Sequence, residues 1–236
     1  MAVPNHIAFL CDGNRRWAKA RGMSPLEGHR SGLSDFTNLI NYFTEKGVSA
    51  LTFFIFSTEN WNRSDEEVSF LMSLYEKVFD NYEKADIAKR IKFQTIGRRD
   101  RIPVPLLKNA EKLERTTAGN TKGTVAFALD YGGQDEIVRA ANAAIIKGKP
   151  VDAAAFGSFL DGGLPPVDLV VRTSQEIRIS NFMLWHMAYA EFLFIPQFWP
   201  EYVESQPLWE ETLKEYENRN RRFGGGVEKH YAEKNK

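Results

Sequence analysis

The chain has 236 residues, of which 43% are hydrophobic, so it is long enough to bury a sizeable core. Its 31 basic and 31 acidic residues cancel, which argues against nucleic acid as a partner, because nucleic-acid-binding proteins usually carry excess positive charge. Cys11 is the single cysteine, which excludes an intrachain disulfide and favours a reducing, cytoplasmic location. The N-terminus lacks a signal-peptide pattern, and the longest apolar runs are too short to cross a bilayer.

Short apolar runs alternate with helical patterns along the chain. Six runs predict β-strands, at residues 7–11, 50–56, 91–96, 124–129, 167–171 and 192–195. Each run is short and does not alternate between polar and apolar residues, which is typical of strands that are covered on both faces. No repeat, linker or low-complexity segment interrupts the alternation, so residues 1–236 are expected to form a single domain.

Three segments between these strands predict helices. Apolar residues recur at helical spacing over residues 33–43, and the pattern stops at Gly47. A second helical pattern over 68–79 follows Ser64 and three acidic residues, which are typical of a helix N-terminus. A third pattern covers 135–146. Strands that alternate with helices predict an α/β fold with an open, mostly parallel six-stranded sheet flanked by helices.

Polar stretches follow the first, second and fifth predicted strands, at residues 12–17, 57–63 and 172–181. In an open parallel sheet, ligands bind beyond the carboxyl ends of the strands, so we expect the three stretches to converge at one edge. Their five arginines offer planar forks of donors that match phosphate. Asp12 is an isolated acid at a strand end among these groups, and a divalent metal that bridges the acid and a phosphate explains it best.

Taken one at a time, these residues also have ordinary structural explanations. Asp12 alone is more often a turn former or a helix cap. Arg15 and Arg16 alone would form a solvated helix face, and His29 alone would be a capping or surface residue. The functional interpretation gains support because three such stretches follow three strands. A zinc site and the usual nucleotide-binding or hydrolase classes are not favoured, because their motifs are missing from the sequence.

Five sequence blocks occur in order across nearly the whole chain: HIAFLCDGNRRWAKARG, FSTENWNRSDEEV, YGGQDEIVRA, VVRTSQEIRISNFMLWHMAYAEFLF and RNRRFGG. Together they resemble the blocks of the cis-prenyltransferases. The resemblance implies a parallel sheet flanked by helices, a homodimer, and a hydrophobic cleft for the growing chain. It also implies a reaction in which isopentenyl diphosphate attacks an allylic diphosphate with help from Mg²⁺. Diphosphate is released, and the apolar product would draw the protein towards a membrane surface.

The resemblance also implies roles for individual residues. Asp12 matches the catalytic and Mg²⁺-binding aspartate, and Asn60 matches a residue that accepts or relays a proton. Glu191 matches a second acid near the metal, supplied at or across the dimer interface. The residues that match substrate-binding positions are Gly13, Asn14, Arg15, Arg16, Trp17, His29, Ser57, Thr58, Glu59, Trp61, Arg63, Arg172, Arg178, Ile179, Ser180 and Arg222. Those of the first stretch and His29 match the allylic diphosphate site, those of the third stretch match the isopentenyl diphosphate clamp, and Arg222 matches a motif that reaches the neighbouring subunit.

Several positions depart from the family pattern. Pro25, Gln175 and Ile177 stand where an arginine, a glycine and a metal-binding histidine are frequent. Ile55 stands where long-chain members carry a small alanine, which predicts a shorter tunnel and a short or medium product. Non-catalytic partner subunits of two-component cis-prenyltransferases share the fold but lose the aspartate, so the intact Asp12 favours an enzyme. The departures keep the scaffold subunit open as the alternative.

Overall fold

The computed structural model describes residues 2–33, 36–148 and 150–219. Its sheet has six strands, which are β1 (His6–Leu10), β2 (Ala50–Ser57), β3 (Ile91–Ile96), β4 (Gly123–Tyr131), β5 (Leu169–Arg172) and β6 (Glu191–Phe194). The strand order is β3-β4-β2-β1-β5-β6, and all five pairings are parallel. The predicted open α/β sheet is confirmed, and every strand begins and ends within two residues of its predicted bounds.

Helices occupy most of the segments between the strands. They are α1 (Asn14–Ala20), α2 (Pro25–Gly32), α3 (Thr37–Glu45), α4 (Asp65–Lys84), α5 (Val104–Thr117), α6 (Gly133–Ile146), α7 (Ala153–Phe156), α8 (Trp199–Tyr202) and α9 (Gln206–Glu217). Short 3₁₀ turns span Thr58–Asn62, Asp86–Lys89, Gly157–Phe159 and Asp161–Gly163. The three predicted helices correspond to α3, α4 and α6, but α3 starts later than its apolar pattern. Among the described helices, none is both long and apolar enough to span a membrane.

The sheet is buried on both faces, and β1 shows how its sequence produces this. Ile7 and Phe9 belong to one apolar cluster, whereas the alternate residues Ala8 and Leu10 belong to another. On the first face, Phe9 stacks on Phe53 of β2 with ring centroids 5.1 Å apart. Since both faces need apolar side chains, the strands carry continuous apolar runs rather than an alternating pattern.

The residues at the starts of α2 and α4 are those that usually begin a helix. Ser64 caps α4, because its hydroxyl accepts a hydrogen bond from the backbone N–H of Glu67 at 3.3 Å. Ser24 and Glu27 cap α2 reciprocally, and Pro25 occupies the first turn of that helix. Proline is favourable there because its missing N–H would have no helical partner. Pro25 therefore has a local structural role at the start of α2.

The order of the strands places the three polar stretches side by side. β1 lies between β2 and β5, and Leu10 of β1 is aligned with Phe54 of β2 and with Arg172 of β5. Since the three strands are parallel, their carboxyl ends lie at the same edge of the sheet. The segments that follow them therefore start as neighbours, as the sequence predicts.

Candidate active site

Asp12 and Arg172 form an ion pair at the carboxyl ends of β1 and β5. Arg172 Nη2 donates to Asp12 Oδ2 at 2.8 Å, and the Arg172 side chain is only 4% exposed. Arg172 Nη1 donates to Ser180 Oγ at 2.9 Å. Thr173 Oγ1 donates to the backbone oxygen of Asp12 at 2.7 Å. Because a buried guanidinium is costly without an anionic partner, this pair fixes the loop after β5 against the loop after β1.

Gly13 allows the chain to turn sharply between Asp12 and α1. Its φ is +100°, a left-handed conformation that residues with a side chain rarely adopt. A Cβ atom at this position would lie 2.7 Å from the Phe198 ring and 2.8 Å from the Cβ of Ser174. The backbone N–H of Gly13 donates to Asp12 Oδ1 at 2.7 Å. Glycine therefore brings the first stretch into close contact with the third and helps to orient the Asp12 carboxylate.

Glu176 connects the arginines of the first and third stretches. Arg16 Nη1 lies 2.9 Å from Glu176 Oε1, and Arg178 Nη1 donates to the other carboxylate oxygen of Glu176. Arg16 Nη2 also lies 3.5 Å from Asp12 Oδ1 and donates to Ser174 Oγ at 2.7 Å. The Arg16 and Arg178 side chains are 46% and 61% exposed, so an anion from solvent can reach both.

His29 and Arg63 meet at the buried carboxylate of Glu67. His29 Nε2 lies 3.1 Å from Glu67 Oε1, and Arg63 Nη1 donates to the same oxygen at 2.9 Å. Burial, followed by the nearby charge of Arg63, lowers the pKa of His29, so its ring is neutral near pH 7. Burial alone would raise the pKa of Glu67, but Arg63 and Arg15 outweigh it and the pKa lies below its ordinary value.

The 3₁₀ turn at Thr58–Asn62 carries Asn60 to the same edge. Asn60 Oδ1 accepts a hydrogen bond from the backbone N–H of Ser57 at 3.0 Å, which holds the amide against the end of β2. Glu59 Oε1 accepts from Asn181 Nδ2 at 3.1 Å and so joins the second stretch to the third. Each of the three stretches therefore contacts another through a side chain.

These side chains surround two adjoining hollows of about 590 Å³ and about 300 Å³. The predicted residues that line one or both are Asp12, Gly13, Asn14, Arg15, Arg16, His29, Ser57, Glu59, Asn60, Arg63, Arg172, Arg178 and Ser180. The larger hollow also has an apolar wall, made by Leu10, Leu33, Phe54, Ile55, Phe56, Tyr75 and Trp199. A hollow with a cationic rim and an apolar wall suits a ligand with an anionic head and an apolar body.

Four predicted substrate-binding residues line neither hollow. Trp17 lies under the guanidinium of Arg21, 4.5 Å from it. Trp61 Nε1 donates to Asp130 at 2.9 Å, and Asp130 is fully buried and also paired with Arg101. The other two are Thr58, which packs beside Gly132, and Ile179, which packs against the second apolar cluster. The contacts of Trp17 and Trp61 are therefore with other protein groups, and Trp61 helps to hold the turn that carries Asn60.

The two predicted metal ligands are not neighbours within one chain. Glu191 is the first residue of β6 and is aligned with Leu169 at the amino end of β5, whereas Asp12 follows the carboxyl end of β1, at the opposite edge of the sheet. Glu191 Oε2 lies 3.3 Å from Arg219 Nη1. Its role near the metal, across a dimer interface, stays a prediction. Arg222 lies outside the described residues.

Asp12 can supply the one carboxylate ligand of a magnesium ion whose other ligands are waters and a bound phosphate. Within the described ranges, no group of three or more His, Cys, Asp or Glu side chains could hold a metal by itself. Mg²⁺ usually keeps several waters and is bound through one or two carboxylates together with substrate phosphates. The Asp12 side chain is 33% exposed and borders both hollows. The donor set therefore fits Mg²⁺ bound by Asp12 and a diphosphate.

Two departures from the family pattern lie in the loop after β5. Gln175 has a φ of 61°, and its neighbour Ser174 has a φ of 73°. A glycine would adopt this left-handed conformation without strain, whereas a residue with a Cβ atom pays about 1 kcal/mol for it. Ile177 is 78% exposed and offers no ligand atom to a metal. The loop therefore keeps its arginine and serine contacts despite the changed residues.

Some contacts in the site involve residues that the sequence did not point to. Glu67 was interpreted only as part of a helix start, although its carboxylate contacts side chains from three other segments. Glu176 and Asn181 lie inside the third stretch but were not assigned a role, and both connect that stretch to another. The apolar wall includes Tyr75, from the middle of α4, whose helical spacing indicated only a core position.

Known proteins match this chain along nearly its whole length. The family model described as putative undecaprenyl diphosphate synthase matches residues 10–224. An isoprenyl transferase of Fusobacterium nucleatum is 43% identical over 224 residues, which cover 94% of this chain and 96% of the relative. An isoprenyl transferase of Listeria monocytogenes is 39% identical over 233 residues, which cover 95% of this chain and 92% of the relative.

Solved structures agree with these matches. The crystal structure of lavandulyl diphosphate synthase from Lavandula x intermedia, in complex with dimethylallyl diphosphate, superposes with a TM-score of 0.88 at 33% identity and covers 94% of this chain and 98% of that one. A probable undecaprenyl diphosphate synthase from Campylobacter jejuni superposes with a TM-score of 0.81 at 29% identity, covering 95% and 100% of the two chains. On the sequence blocks, the fold and these matches, the chain belongs to the undecaprenyl diphosphate synthase family of cis-prenyltransferases.

Proposed function

We propose that the chain is a Mg²⁺-dependent cis-prenyltransferase that condenses isopentenyl diphosphate with an allylic diphosphate primer. The products are a Z-polyprenyl diphosphate and free diphosphate. The observation that carries the proposal is the junction of a cationic rim and an apolar wall beside Asp12. Membership of the family supports the same reaction class. The proposal includes a cytoplasmic location, with peripheral membrane contact through the apolar product.

Two groups of cationic and polar side chains would each bind one of the two substrates. Arg16 and His29 border the smaller hollow, where the allylic diphosphate would bind with its chain along the apolar wall. Arg172 and Arg178 border the larger hollow, where isopentenyl diphosphate would bind. Fixed guanidinium groups stabilise the charge that develops on the departing diphosphate. Asp12 would hold Mg²⁺, which would supply further positive charge to the diphosphate.

Loss of a proton from isopentenyl diphosphate completes the reaction. Asn60 lines the larger hollow, and its amide oxygen is already engaged by the N–H of Ser57. An amide is a poor base in water, so the departing diphosphate is the stronger acceptor. We assign Asn60 the role of guiding the proton towards that acceptor.

The first prediction concerns Asp12. Purified protein mixed with Mg²⁺, isopentenyl diphosphate and allylic primers of increasing length should release diphosphate and form longer products. Asp12→Asn should lower kcat by about 100-fold or more, because it removes the carboxylate that fits the metal and pairs with Arg172. Asp86→Asn, at a 91% exposed side chain, is the matched control and should behave as the wild type.

The same assay separates the enzyme from the scaffold alternative. A wild type that is inactive with every primer, but becomes active after a second protein is added, would indicate a non-catalytic partner subunit. Equal activity of the wild type and Asp12→Asn would contradict the assigned role of the carboxylate.

A homodimer is part of the proposal, and exposed apolar side chains near β6 support it. Tyr189 is 71% exposed, Trp185 is 38% exposed and Phe194 is 36% exposed. Tyr189 and Trp185 border a mainly apolar hollow of about 810 Å³. Large exposed apolar side chains beside an apolar hollow are typical of a protein–protein interface.

Sedimentation equilibrium tests the dimer. We expect the mass of two 27.0 kDa chains at micromolar concentration. Tyr189→Lys should shift the equilibrium towards the single chain, because it places a charge in the proposed interface. A wild type that sediments as one chain at all concentrations would exclude the homodimer.

Ile55 supports a short or medium product. It lines the larger hollow among aromatic residues, and its backbone oxygen accepts a hydrogen bond from the buried Tyr75 hydroxyl. A branched side chain at this place excludes part of a growing chain by contact, because protein interiors are close-packed.

The second prediction on activity is that Ile55→Ala lengthens the products by at least one isoprene unit, since it removes three carbons from the wall. Val104→Ala, at a 61% exposed position on α5, is the control and should leave the products unchanged. Chromatography of the dephosphorylated products measures the chain lengths. An identical distribution for the wild type and Ile55→Ala would refute the role of Ile55.

A further inference from the structure

Glu67, in the first turn of α4, contacts side chains from three other segments. Its Oε1 accepts from Arg63 Nη1 at 2.9 Å and lies 3.1 Å from His29 Nε2. Its Oε2 lies 3.8 Å from Arg15 Nη1. The Glu67 side chain is 10% exposed, so water screens its contacts with His29 and Arg63 only weakly. All three partners border the smaller hollow, where the allylic diphosphate is proposed to bind.

Helix capping does not explain this buried carboxylate. It is the backbone N–H of Glu67, not its side chain, that donates to Ser64 Oγ. Asp65 and Glu66 already supply negative charge to the first turn of α4. Burial of a carboxylate is unfavourable unless cations and donors compensate for it. The Glu67 side chain therefore serves its contacts with the site rather than the start of its own helix.

The carboxylate sets the orientation of its partners. A carboxylate oxygen can only accept, so the contact with His29 places a hydrogen on Nε2 and leaves Nδ1 bare in the neutral ring. The same oxygen holds one nitrogen of the Arg63 guanidinium, and the remaining donors of the fork then have a fixed direction. Glu67 therefore sets the orientation of two side chains, His29 and Arg63, on the wall of the smaller hollow.

We propose that Glu67 is a positioning residue for the transfer reaction, which holds Arg63 and His29 in the orientation that receives the departing diphosphate. The inference rests on the proposed function and deepens it. Glu67 acts through its neighbours and does not touch the substrate. Neutralising it leaves the cations unopposed, so ground-state binding of a diphosphate is not weakened. Without the Glu67 carboxylate, Arg63 and His29 lose their orientation towards the diphosphate, so the chemical step slows.

The test compares Glu67→Gln with Glu66→Gln in the reconstituted assay. Both variants remove one negative charge from the same helix turn, but Glu66 is exposed. We expect Glu67→Gln to lower kcat by about 10- to 100-fold without raising KM for the allylic diphosphate, because small misplacements of charged groups slow catalysis strongly. Glu66→Gln should match the wild type. Glu67→Asp, which keeps the charge but shortens the side chain, should fall between the two.

A second readout does not depend on activity. Burial and Arg63 lower the pKa of His29, whereas the contact with Glu67 raises it by a smaller amount. Glu67→Gln should therefore lower the pKa of His29 further, as measured by an NMR titration of the imidazole. Glu66→Gln should leave it unchanged. The His29 signal is assigned by its loss in His29→Asn. If Glu67→Gln does not fold, as judged by circular dichroism, Glu67→Asp carries the same comparison.

Three results would overturn the inference. They are an unchanged kcat in the Glu67 variants, a fall in kcat that Glu66→Gln equals, and a raised KM with kcat intact. A wild type that is inactive with every primer would instead refute the proposed function. In that case, an unchanged pKa of His29 in Glu67→Gln would still contradict the proposed effect of Glu67 on His29.

Discussion

The ion pair between Asp12 and Arg172 holds together the edge of the sheet on which the site is built. Arg172 is almost fully buried at the end of β5, and Asp12 supplies the anion that its charge requires. Because β1 and β5 are parallel neighbours and Arg172 is aligned with Leu10, Asp12 follows two residues later at the same edge of the sheet. The same carboxylate borders both hollows. One contact therefore fixes the fold locally and places an acid where a metal and a diphosphate can meet.

The remaining cations of the site are also balanced by acids of the chain. Arg178 is paired with Glu176, and Arg63 is paired with Glu67. This pairing explains how a chain with no net charge can present a phosphate site, since the positive groups are local and are compensated nearby. Under the proposed function, an entering diphosphate would replace or join these carboxylates, and Arg178, whose side chain is 61% exposed, would exchange its partner most readily. In the proposed role, the buried Glu67 would keep its contacts with His29 and Arg63 while the diphosphate binds.

The sequence predicted the sheet well because its physical signal is local. Strands that are buried on both faces must be short apolar runs, and all six were found that way. The convergence of residues 12–17, 57–63 and 172–181 followed from the rule for parallel sheets. Helices α5 and α9 were not predicted, because charged residues separate their apolar positions. Pro103 precedes α5, and Ser205 precedes α9 without a side-chain capping hydrogen bond.

Side-chain partners were harder to predict than elements. Glu67 and His29 are 38 positions apart, and their contact depends on how α2 and α4 pack. Trp17 and Trp61 belong to the right segments, but their rings contact Arg21 and Asp130 instead of the hollows. Sequence spacing specifies which segments meet, whereas the direction of each side chain is set by packing around it.

The most direct test of the account is a crystal structure with Mg²⁺, isopentenyl diphosphate and an unreactive sulfur-bridged analogue of the allylic diphosphate. The account predicts two diphosphates side by side, one against Arg16 and His29 and the other against Arg172 and Arg178. The metal should bridge Asp12 and a phosphate oxygen, and the apolar tail of the analogue should lie towards Ile55. Diphosphates bound elsewhere, or a metal without Asp12 among its ligands, would contradict it.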